Sequence, residues 1–96
     1  MAVYRNKKLL ELARNHDCVN CGADDGTVVA CHANLLELGK GRGLKASDAG
    51  VSFLCHSCHR ELDEGDSDRG SKRAFTYEMI AKTLIRLIEE GSLRVK

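Results

Sequence analysis

The chain has no tryptophan and no proline, and only two phenylalanines and two tyrosines. At 96 residues, folding buries only about 60–65% of the unfolded surface. With so few bulky anchors, the core is expected to be thin. No apolar run approaches the roughly 18 residues needed to cross a bilayer, which excludes a membrane-spanning helix. The opening Met-Ala-Val-Tyr-Arg-Asn-Lys-Lys has charge but no apolar stretch behind it, so a secretory signal is not expected and a cytoplasmic location is. Net charge is also nearly absent, at +1, which at first sight argues against nucleic acid as a partner. Hydrophobic residues make up 43%, too many for a disordered chain of low net charge.

What the chain does have is cysteine and histidine. There are five Cys and four His, in a chain of mean hydropathy −0.31. A small domain with a thin core and many cysteines is braced by disulfides or by a metal. Without export, thiols stay reduced, which leaves metal binding or reactive thiols. The near-neutral charge is a cancellation of blocks. Residues 1–16 carry Arg5, Lys7, Lys8 and Arg14 against Glu11, and residues 17–39 hold only acids. Residues 40–47 hold only bases, residues 59–69 are net −3, and residues 70–96 are net +3.

Periodicity places the elements. A short helix is expected over about 4–15, with Leu9, Leu10, Leu12 and Ala13 on one stripe. Cys18-Val19-Asn20-Cys21-Gly22 reads as a tight turn, and Asp24-Asp25-Gly26 as another. Thr27 to Cys31 and Val51 to Leu54 read as short strands. Between them, Leu38 to Gly43 reads as a flexible basic loop. A helix is expected from Arg60 to Glu64, stopped by Gly65, and a polar linker over 66–70. A long amphipathic helix over about 72–90 carries Phe75, Met79, Ile80, Leu84, Leu87 and Ile88 on one face. It reads as a core brace, with a dimer seam as the alternative.

Cys18/Cys21 and Cys55/Cys58 are two Cys-x-x-Cys pairs separated by 33 residues. Two residues between ligands let one turn present both sulfurs to a tetrahedral ion. One shared structural zinc is therefore expected, rather than redox or free thiols. Four thiolates close the coordination shell, so this zinc stabilises and does not catalyse. Cys31 reads as a small buried residue ending a strand, with a fifth ligand or a nucleophile as the alternatives.

A second constellation lies outside those cysteines. His32 follows the first strand, His59 follows the second pair, and Asp63 lies four residues on, on the same helix face. An imidazole and a carboxylate on one helix suit a divalent ion, with His32 as a general base on water. The bland alternatives are a surface His32, a spare zinc ligand at His59 and a solvated Asp63. His16 and His56 read as surface residues. Lys40, Arg42 and Lys45 lie among glycines that permit close backbone approach, so the loop suits a phosphate track. Arg5, Lys7 and Lys8 form a second candidate basic cluster.

The segment resembles the zinc-braced form of the HNH (ββα-metal) nuclease motif. The resemblance is carried by Cys18-Val19-Asn20-Cys21, by Val28-Val29-Ala30-Cys31-His32, and by Phe53-Leu54-Cys55-His56-Ser57-Cys58-His59. It is closer still to the small YbcO-like nucleases of phages and prophages. Those residues are His32-Ala33-Asn34, the loop Gly39 to Lys45, Asp48, and Cys58-His59 with Asp63. The resemblance covers residues 5–65 and the C-terminal helix loosely. It implies His32 as general base, His59 and Asp63 as ligands of a catalytic divalent ion such as magnesium, and Asp48 or Asn34 orienting His32 or adding a ligand. Two positions depart from the pattern. Cys31, a soft ligand, stands where many such enzymes have a hard one, and Gly50 falls where the middle Asn belongs.

The expectation is thus a single α+β domain over 1–96, a zinc-stabilised ββα-metal fold (core about 17–65) with flanking helices. Its expected function is divalent-metal-dependent cleavage of DNA, as a monomer or homodimer in the cytoplasm of a bacterial host. The alternatives are a catalytically silent zinc module that binds nucleic acid or protein, and a purely structural assembly protein.

Overall fold

The structure, a computed structural model, describes residues 3–96. Met1 and Ala2, part of the domain expected over 1–96, lie outside them. The elements run α1 (Lys7–Glu11), a 3-10 turn (Leu12–Asn15), β1 (Val29–His32), a second 3-10 turn (Leu36–Leu38), β2 (Val51–Leu54), α2 (His56–Glu64) and α3 (Arg69–Glu89). The two strands pair antiparallel, from Val29 opposite Leu54 to His32 opposite Val51. A β-hairpin, a helix behind it and a long C-terminal helix packed on β2 make a small α+β domain. Among the described residues no helix is long and apolar enough to cross a membrane.

Several boundaries shift for physical reasons. The first helix starts at Lys7, not Tyr4, because Asn6 is extended and its side chain accepts from the Leu9 N–H at 3.1 Å. Tyr4 is drawn away from the helix, its carbonyl accepting from the Asp48 N–H at 3.0 Å. Thr27 falls outside β1 because Asp25 binds it in a turn, accepting from its N–H at 3.0 Å and from its hydroxyl at 2.6 Å. The Thr27 hydroxyl oxygen in turn accepts from the His56 N–H at 2.9 Å. That caps α2, which begins four residues before the expected Arg60 and so carries Cys58 and His59 on its first turns. Gly65 ends α2 by close approach: a Cβ there would meet the Glu61 carbonyl oxygen at 2.4 Å. The helix expected from 72 starts at Arg69, since Asp68 accepts from the Ser71 N–H at 2.7 Å.

The core sits between β2 and α3. Phe53, Leu54, Met79, Leu87, Cys18 and Cys55 are its least exposed side chains. The inward stripe of α3 is Thr76, Met79, Ile80, Thr83 and Leu87, while Phe75 and Leu84 are only half-buried. Ile88, expected on that stripe, is exposed because one residue beyond Leu87 turns about 100° away. Thr83 is buried for a reason. Its hydroxyl donates to the Met79 carbonyl at 2.8 Å and accepts from the Phe53 N–H at 3.2 Å, so the helix completes the strand's hydrogen bonding. His16, expected at the surface, packs its ring on Phe53 with centroids 5.4 Å apart and pairs with Glu90 at 3.0 Å.

The chain between the strands is a folded excursion, as the long spacing between the two Cys pairs requires. Ala33, Ala46 and Ile80 form a small second cluster beneath it, joined by Leu35, Leu38 and Leu84. Its tip is a tight turn in which the Gly41 and Leu44 N–H groups each donate to the other's carbonyl, at 3.0 and 3.1 Å. Gly43 holds a φ of +66°, open to glycine at little cost.

Candidate metal centre and catalytic cleft

The sulfurs of Cys18, Cys21, Cys55 and Cys58 all lie within 4.8 Å of one another. Zinc–sulfur bonds of about 2.3 Å in a tetrahedron put sulfurs roughly 3.8 Å apart, and Cys21 and Cys55 are separated by 3.7 Å. The donor set therefore fits a structural zinc. The two arms come from different parts of the chain. One is the turn closed by the Gly22 N–H donating to the Cys18 carbonyl at 2.9 Å. The other is Cys55, the N-cap of α2, with Cys58 on its first turn. Asn20, inside the first pair, donates its side-chain N–H to the Cys58 sulfur at 3.3 Å.

The thiols of this cluster sit in unlike surroundings. Burial opposes ionisation of Cys18, but the N–H groups of Cys21, Cys55 and Asn20 outweigh it and bring its thiol down to about 6. Burial, reinforced by the neighbouring thiols, pushes Cys58 up to about 12. Cys31 stands outside the cluster. It is buried, and that burial pushes its thiol up to about 12. That burial is as expected for a small residue ending a strand, although Cys31 also lines the larger of the two clefts described below.

His32, the last residue of β1, is held by Asp48 through an Nε2–Oδ1 contact of 2.6 Å. The Asp48 side chain is only 4% exposed. Its carboxylate also accepts from the Asn6 N–H at 2.7 Å and from the Arg5 guanidinium at 3.0 Å. Burial alone raises the Asp48 carboxyl, but His32, Asn6 and Arg5 together hold it below the ordinary carboxylate range. An ionised carboxylate can only accept, so this contact places a proton on His32 Nε2. Arg5 is not free for a phosphate, since it also donates to the Lys45 and Ala46 carbonyls, both at 2.6 Å.

His59 and Asp63 face each other one turn apart on α2, with Nε2 and Oδ2 3.2 Å apart and both side chains substantially exposed. They line a cleft of about 620 Å³ together with His32 and Asn34. A second cleft of about 410 Å³ shares His32, Asn34 and Asp63 and adds Lys40 and Lys45. Five of the expected residues therefore border one continuous surface with His32. Arg42 lines neither cleft and is exposed at the loop tip, and His56 is exposed on the first turn of α2.

Among the described residues, only the four cysteines gather three or more metal donors in one place. His59 and Asp63 by themselves offer two donors, one imidazole nitrogen and one carboxylate. Sequence reasoning missed Asn6 and the role of Arg5, because nothing local marks two residues as partners of one more than forty positions away. It also missed the far wall of the larger cleft, which α3 supplies through Arg69, Lys72 and Arg73. Comparison with family models, with curated proteins and with solved structures finds no match, so the site stands on its own geometry.

Proposed function

We propose that the chain is a divalent-metal-dependent endonuclease that hydrolyses phosphodiester bonds in DNA, built on a zinc-braced ββα-metal fold of the HNH type. The observation that carries this reading is the cleft in which His32, oriented by Asp48, meets His59, Asp63 and Asn34. His32 Nδ1 accepts a proton from the attacking water, and Asp48 stabilises the imidazolium that forms. His59 and Asp63 would hold the divalent ion, and such an ion would supply positive charge against the phosphate as the bond to the 3′ oxygen breaks. Lys40 and Lys45 hold neighbouring phosphates. A zinc held by the four thiolates would tie the start of α2, which carries His59, to the turn at Cys18–Cys21.

The test is nicking of supercoiled plasmid by zinc-loaded protein with magnesium, manganese, nickel or calcium. Wild type is expected to nick with at least one of them, and His32→Ala to lose activity by 100-fold or more, on the order of a general base's contribution. Absence of nicking with every ion overturns the reading. A second reading, a zinc module that binds without cutting, is favoured by one observation: the second site assembles only His59 and Asp63 at contact distance. Full nicking by His59→Ala would also count against the proposed ion site.

A further inference from the structure

We infer that Arg69 and Lys72, at the start of α3, bind the DNA phosphate backbone on the other side of His32 from Lys40 and Lys45. A strand is then gripped by cations on both sides of the phosphate to be cut. The inference rests on the nuclease reading for the identity of its ligand. Its basis is the division of cations between two clefts that share His32, Asn34 and Asp63. Lys40 and Lys45 line the smaller, and Arg69 and Lys72 line the larger. Arg69 and Lys72 stand three residues apart, hence on one face of α3.

Ion pairing and position together separate these residues from the other bases. Lys7, Lys8, Arg14, Arg42, Arg94 and Lys96 are also without a carboxylate partner among the described residues but line neither cleft. Arg5, Arg60, Arg73, Lys82 and Arg86 each pair with a carboxylate. Arg69, Lys72, Lys40 and Lys45 have no carboxylate partner among the described residues. The acids that stand ready to neutralise the α3 wall are engaged elsewhere. Asp68 caps the helix through the Ser71 N–H. Glu37 is taken by Arg73 and by the Tyr77 hydroxyl, which donates to it at 3.0 Å. Arg73 lies over the Tyr77 ring at 5.3 Å and ties the excursion after β1 to α3, so it acts as a strut for this wall. Asp63 faces His59. The larger cleft is lined by three bases, Arg69, Lys72 and Arg73, against two acids, Glu37 and Asp63, so its surplus charge is positive, which is what a polyanion recognises.

The experiment measures binding of a labelled DNA duplex by zinc-loaded protein in magnesium-free buffer, across a series of salt concentrations. Wild type, Arg69→Gln, Lys72→Gln and Lys40→Gln are compared with Lys82→Gln, on the same helix but outside both clefts. Melting temperature and zinc content confirm that each variant is folded. Each phosphate contact removed is expected to lower the steepness of log K against log salt by about 0.9. Arg69→Gln and Lys72→Gln should each show that drop, as Lys40→Gln does, and Lys82→Gln should not. Unchanged slopes for both α3 variants beside a reduced slope for Lys40→Gln would overturn the inference and leave the nuclease reading standing. Wild type without salt-dependent DNA binding would overturn both. Reduced slopes in a protein that never nicks would support the cation wall and refute cleavage.

Discussion

Replacing Asp48 by alanine is the most informative single perturbation. Its carboxylate accepts from three donors that come from two parts of the chain: His32 on β1, and the neighbouring Arg5 guanidinium and Asn6 N–H before α1. Removal leaves a half-buried imidazole N–H and a backbone N–H without an acceptor, each costing about 1–1.5 kcal/mol. Arg5 is 42% exposed, so its share is screened and adds under about 1 kcal/mol. The total is about 3 kcal/mol, in line with breaking a buried charged pair. For a domain of this size, that lowers the melting temperature by about 12–24 °C. Denaturant unfolding of zinc-loaded protein at neutral pH measures the loss. The Asp48→Ala and His32→Ala double-mutant cycle isolates the imidazole contact, with an expected coupling of about 1 kcal/mol or more. A loss for Asp48→Ala below about 1 kcal/mol, with no coupling to His32, would refute the claim that Asp48 holds the site together.

Further outcomes follow from other parts of the fold. Metal analysis should find one zinc per chain, unchanged in Cys31→Ala and lost in Cys55→Ser, with chelation unfolding the wild type. Zinc uptake near pH 7.5 should release protons, Cys21 and Cys58 among their sources since their thiols are raised, and the affinity should fall as pH is lowered. Calorimetry in buffers of different ionisation enthalpy reads both. Thr83→Val deprives the Phe53 N–H of its acceptor and should cost about 1–3 kcal/mol in denaturant unfolding, while Thr83→Ser should recover most of it. Gly65→Ala places a Cβ against the Glu61 carbonyl and should lower the melting temperature, whereas Gly26→Ala, with open space around it, should suffer only from its φ of +81°.

The parts of the fold legible in the sequence are those set by local pattern. The two Cys-x-x-Cys pairs announced a shared metal, because their spacing matches one turn of backbone per pair. Val51 to Leu54 was readable as a strand from its apolar run, and α3 from its 3.6-residue period. Boundaries were less legible wherever a distant group settles them. Tyr4 and Arg5 stand outside α1, where Asp48 binds them, and α2 starts at His56, where the Thr27 hydroxyl caps it. Residues 66–70 look like linker until Asp68 is seen to cap α3.

The candidate site divides the same way. The sequence by itself determined which chemical groups exist: four thiols in paired spacing, His32 at a strand end, His59 and Asp63 one helical turn apart. It also determined that positive charge comes in blocks, because charge order is a property of the chain alone. Only the tertiary structure decided which of those charges meet. Arg5 turned from a candidate phosphate contact into an anchor of Asp48, and Arg69 and Lys72 turned from ordinary helix residues into a wall of the cleft. The physical reason is that pairing and burial depend on distances between residues thirty or forty positions apart. Those distances follow from β1 lying beside β2 and α3 packing across it.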